Sequence, residues 1–131
     1  MSLKVFFVSL SLILIFDFIW IQLIMGKFYS KEFSKIGRKE KGKLKPKLLP
    51  GLIVYLIIAL GVSIFAIPIS NTPLNSLIYG ALFGLIIYGV YDLTNISVLK
   101  DYSRKLAIID IIWGTILLGI VSFLTRIISI K

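Results

Sequence analysis

The chain has 131 residues, 58% of them hydrophobic, and contains no cysteine and no histidine. Soluble domains are nearer to about 45–50% apolar, so the composition indicates an integral membrane protein. The missing residue types exclude disulfides, thiolate chemistry, an imidazole base and the usual zinc or haem ligands. The formal net charge of +9 is concentrated, with nine of the fifteen basic residues between Lys27 and Lys47. That placement between two apolar runs suits anionic lipid headgroups. Nucleic acid is not an expected partner, because no reading motif accompanies the charge.

A helix needs about 20 mostly apolar residues to cross a hydrocarbon core, and four stretches supply them. The first, residues 5–25, follows Lys4 as a signal peptide would. Its apolar run is too long for that role, it contains Asp17, and no small-residue cleavage site follows, so it is expected to remain as a span. Residues 26–47 form a long basic loop. In it Phe28, Tyr29, Phe33 and Ile36 have the spacing of a short helix lying on the membrane surface, the alternative being a disordered lysine-rich link.

The second span, 48–69, opens near Pro50, carries Tyr55, and has Pro68 in its last turn, where proline is tolerated. Ser70-Asn71-Thr72-Pro73 is an uncharged turn whose proline begins the third span, 74–93. A short loop with Lys100, Arg104 and Lys105 leads to the fourth, 106–125. The expected fold is all-α: one transmembrane domain over residues 1–131, an up-down four-helix bundle with a short outer loop and a long basic first loop. Loops one and three hold twelve lysines and arginines against three elsewhere (Lys4, Arg126 and Lys131). This bias predicts that both loops are cytoplasmic and both termini outside.

Asp17, Asp92 and Asp110 interrupt spans that contain no lysine or arginine. An acid near the centre of a membrane helix costs about 2.5–3.5 kcal/mol, so each needs a partner, a proton or a bound cation. At about 1.5 Å of rise per residue, each lies roughly 7–15 Å inside the basic-loop boundary, with Tyr55 in the same layer. Helical phase puts Asp17 with Trp20, Asp92 with Asn95, and Asp110 with Trp113 on shared faces. Gly80, Gly84, Tyr88, Tyr91 and Asn95 form a stripe along which another helix can approach closely, and Gly114 continues the face of Asp110 and Trp113. The predicted site is an acidic, aromatic-walled pocket open to the cytoplasm. It is built from Asp17, Trp20, Tyr55, Tyr88, Tyr91, Asp92, Thr94, Asn95, Asp110 and Trp113. No cofactor and no metal is expected, and any cation would have to be held by oxygen.

These residues carry a resemblance as well. Asp17-x-x-Trp20, Phe28-Tyr29, the run from Gly80 to Gly84, Tyr88, Tyr91-Asp-Leu-Thr-Asn95 and Asp110-x-x-Trp113-Gly114 resemble the small predicted membrane proteins of the domain of unknown function 2177 family. The similarity covers nearly the whole chain. It implies a four-span protein of about this length and brings no activity with it. The lysine-rich first loop departs from the family pattern.

Three functions fit the residues. The first is a binding or permeation site for protons, small cations or a cationic amphiphile, since acids and aromatic faces both attract cations. A single four-helix unit is thin for transport, so permeation implies a homo-oligomer or a membrane partner protein. The second is an accessory subunit whose polar cluster fixes helix packing. The third is a membrane enzyme on a lipid-like substrate with an aspartate as general acid or base. The chain lacks a serine, cysteine or histidine nucleophile constellation, so the reading leans away from an enzyme.

Overall fold

The computed structural model describes residues 2–130. Ser2 opens the first helix, its hydroxyl accepting from the Val5 N–H at 3.4 Å. Helix α1 (Leu3–Phe18) then passes without a break into a π-helical stretch, Ile19–Ile24. A short helix, α2 (Gly26–Glu32), follows at once. The rest of the basic loop closes on a two-residue antiparallel hairpin, β1 (Lys39–Glu40) with β2 (Lys43–Leu44). Its turn puts Lys41 and Gly42 at φ 53° and 78°, the left-handed pair that a tight hairpin requires. The loop is therefore folded. Its helix ends at Glu32, earlier than the spacing through Ile36 predicts.

Helix α3 (Leu48–Gly61) also ends in π-helical geometry, Val62–Ala66. Thr72 caps α4 (Pro73–Val98), accepting from the Asn75 N–H at 3.1 Å, and Pro73 occupies the first turn. Ser103 caps α5 (Arg104–Ser129) through the Leu106 N–H at 3.0 Å. Four helices are long and apolar enough to cross a membrane: Leu3–Ile24, Leu48–Ala66, Pro73–Val98 and Arg104–Ser129. The third runs past the expected end at residue 93. Thr94, Asn95 and Ser97 are polar, but no proline or glycine stops the helix there, and it continues into the interface.

Helices α4 and α5 form the tightest pair. A Cβ on Gly84 would fall on the Gly114 carbonyl, one on Gly80 would meet the Leu118 carbonyl and Ser122, and one on Gly114 would enter the Tyr88 ring. Lipid is as apolar as leucine, so close backbone approach rather than exclusion of water drives such pairing. Helix α1 packs against α5 and α3. Helix α3 meets α4 near its end, at Gly61 against Phe83 and through Val62–Ala66, and the two diverge toward the basic end. The core lies along these contacts, around Ile13, Val62, Leu117, Leu118 and Val121. Large apolar side chains such as Phe7, Ile57, Ile86 and Ile112 face outward, as a lipid-facing surface requires.

The two ends are fastened differently. At the basic end α2 lies on the start of α5, where Tyr29, Tyr102, Leu106 and Ala107 form a second core. Ser103 donates to Glu32 at 2.8 Å, and Lys105 sits 5.8 Å from the Phe28 ring centroid. At the opposite end Arg126 reaches across from α5. Its Nη2 donates to the carbonyls of Ile67 (2.7 Å) and Ser70 (2.5 Å), and its Nε donates to the Ser76 hydroxyl (2.5 Å).

Candidate functional site

Each intramembrane acid is met by aromatic donors from other elements. Asp17 on α1 is buried, with Oδ1 accepting from Trp113 Nε1 on α5 at 2.9 Å and Oδ2 accepting from the Tyr55 hydroxyl on α3. Asp110 on α5 accepts from the Tyr29 hydroxyl on α2 at 2.9 Å, and that oxygen accepts in turn from Trp20 Nε1 at 3.1 Å. The Trp20 and Trp113 indoles lie parallel, 4.3 Å apart at an interplanar angle of 4°. Asp92 on α4 is fully buried and accepts from the Tyr102 hydroxyl at 2.6 Å.

The second oxygen of Asp92 has no donor, and its acidic neighbour is Asp110. Two neighbouring carboxyls repel unless a proton or a cation lies between them. Tyr102 thus holds Asp92, while Asp110 is joined through Tyr29, Trp20 and Trp113 to Asp17 and Tyr55. The Tyr29 and Tyr102 phenols, which lie outside the spans, are pushed above the ordinary tyrosine range. Burial is the main cause for both, reinforced by the charge of Asp110 for Tyr29 and the hydrogen bond to Asp92 for Tyr102. Both remain hydrogen-bond donors at any cellular pH.

The divergence of α3 from α4 leaves a cleft of about 400 Å³ beside this network. Asp17 and Asp110 form its floor, and Tyr55, Tyr88 and Tyr91 stand along its walls with Ile58. Among the described residues no lysine or arginine lines it. Asn95 lies beside the Tyr91 and Tyr102 hydroxyls. Thr94 is exposed and takes no part; two residues from Asp92 on a helix means the opposite face.

Tyr29 and Tyr102 were not expected in the site. Tyr29 had a signal, an aromatic pair directly after a span, but α2 had to fold back before it could reach Asp110. Tyr102 had only its place in the short loop that joins the helices of Asp92 and Asp110. The π-helical stretch also changes how Trp20 is used. It begins two residues after Asp17 and turns the following side chains, so Trp20 stacks on the indole that holds Asp17 rather than lining the cleft.

The family profile described as predicted membrane protein, DUF2177, matches residues 2–127, which include the two acids and three phenols of the cleft and both tryptophans. The chain belongs to the DUF2177 family. No curated protein and no solved structure matches it. With four apolar helices as well, this DUF2177 protein is an integral multi-pass membrane protein. The motifs that carry the family resemblance are the ones that meet in space: Asp17 and Trp20 join Asp110 and Trp113 through Tyr29.

Stacked aromatic pairs contribute about 0.5–1.5 kcal/mol beyond their burial. A double-mutant cycle on Trp20→Ala and Trp113→Ala, read by thermal unfolding of the DUF2177 protein in detergent, is expected to return a coupling in that range, and strictly additive losses would contradict the stacked arrangement.

Proposed function

We propose that this protein binds a cationic amphiphile from the plane of the membrane, seating a positively charged nitrogen over Asp17 and Asp110 with an apolar body between α3 and α4. The observation that supports this reading is the cleft itself: two carboxyls at the floor, phenols along the walls, and no basic residue among the described lining. Phenol faces add cation–π attraction to the charge of the acids. The volume, about 400 Å³, is in the range of small-molecule sites. Among the described residues no three acids cluster as a metal site would need. Hard divalent cations require six or more oxygen ligands, so a monovalent organic cation fits better.

In the same reading the basic loop and the loop carrying Lys100 face the cytoplasm and both termini lie outside, supported by the twelve-to-three distribution of basic residues. The second reading, a polar lock that only fixes packing, is favoured by Asp17, whose two oxygens both have donors already. Binding experiments separate the two. Protein in nanodiscs titrated with tetraphenylphosphonium should bind it more tightly than an uncharged tetraphenyl analogue. Asp110→Asn should weaken binding at least about tenfold, about 1.4 kcal/mol, with little change in thermal stability. Equal binding of the charged and uncharged probes, or undiminished binding by the Asp17→Asn/Asp110→Asn protein, would leave the packing role as the function.

A further inference from the structure

A second and larger space, about 900 Å³, lies beside the cleft, between α3 and α1. Its walls are apolar, with Leu14 and Phe18 on α1 facing Leu48 and Leu52 on α3. Its rim is cationic. Lys45 and Lys47 stand at the mouth, both exposed, on the extended segment that leads into α3. Asp17 and Tyr55, whose polar atoms are bonded to each other, also line the groove. From Lys47 to Tyr55 the helix descends roughly 12 Å, most of the ~15 Å depth of one leaflet's hydrocarbon.

We propose that this groove holds one anionic phospholipid, its phosphate between Lys45 and Lys47 and one acyl chain between α1 and α3. The charge pattern selects the occupant. A groove that is greasy along its length and basic only at the mouth complements a molecule with an anionic head and an apolar tail, and lysines at a membrane surface favour anionic headgroups. The first turn of α3 has no side-chain cap, so backbone N–H groups are also presented near the same phosphate. The groove adjoins the cation cleft and shares Asp17, Ile21, Gly51 and Tyr55 with it, but it fits a ligand of opposite charge and carries lysines that the cleft lining lacks.

The test uses the full chain in phosphatidylcholine nanodiscs containing a minor fraction of phosphatidylglycerol with a photoactivatable acyl chain. Crosslinks are expected on residues 14–18 and 48–52, and retained phosphatidylglycerol is counted by native mass spectrometry. Lys45→Gln/Lys47→Gln should lower retention about tenfold. Lys39→Gln/Lys41→Gln removes the same charge from the hairpin and should leave retention near the original level. Equal losses in the two double variants would mean diffuse attraction by the loop, and crosslinks spread over all four helices would mean ordinary annular lipid; either overturns the proposal. Displacement by soluble glycerol phosphate would also overturn it, by identifying a site for a free phosphate.

Discussion

Gly84→Leu should abolish the folded protein. The position has no room for even one added carbon, because the atom in the way is the backbone carbonyl of Gly114, which cannot turn aside as a side chain would. Overpacking a core with extra methylenes costs about 1–3 kcal/mol when side chains can yield, and here the two helix axes must separate. Total stability is commonly about 5–15 kcal/mol, so separating the α4–α5 pair removes a large share of it. The expected result is a broad, aggregated elution in detergent and loss of a cooperative thermal transition. Gly84→Ala should fold with a clearly lowered melting temperature. Gly89→Ala is the control: a Cβ there meets nothing within 4 Å, and the helix propensity of alanine, about 1 kcal/mol better than glycine, should make it neutral or slightly stabilising. A Gly84→Leu protein that melts like the original would refute the close packing.

The reach of sequence reasoning follows from this pair. Glycines four apart, together with Gly114, announced a close helix seam, because spacing on one helix is a local property. The three acids were also legible as a set, since nothing local could neutralise them. The partners of the acids were not. Tyr29 reaches Asp110 only because α2 folds back, and Tyr102 reaches Asp92 only because the chain turns sharply after Val98. Those are long-range consequences of a loop whose composition suggested a surface helix or a loose link. The cleft was beyond the pattern altogether. A period of 3.6 residues reports which faces are apolar, but not that α3 and α4 part company below Val62–Ala66.

The second large effect is expected at the other end of the molecule. Arg126→Gln should lower stability by about 2–4 kcal/mol, since charged hydrogen bonds contribute about 1.5–3 kcal/mol each and their removal leaves buried acceptors unmet. The guanidinium bridges the carbonyls of Ile67 and Ser70 and the hydroxyl of Ser76, so one side chain ties α5 to the end of α3 and the start of α4. Thermal unfolding in detergent measures the loss. Arg126→Lys should recover only part of it, because a point charge cannot reproduce the planar fork that meets several acceptors at once. If the glutamine variant melts within about 1 °C of the original, equivalent to a few tenths of a kcal/mol, the tie has no energetic role.

That tie gives α3 an unequal mounting. One end is fastened by Arg126 and the packing of Val62–Ala66, while the other stands between two open spaces and is joined to the bundle through the Tyr55–Asp17 hydrogen bond. A rod held this way behaves as a lever. Tilting it toward α4 narrows one space and widens the other by the same motion, so occupants of the two adjoining spaces would oppose each other, an antagonism written in geometry and reciprocal by thermodynamic necessity.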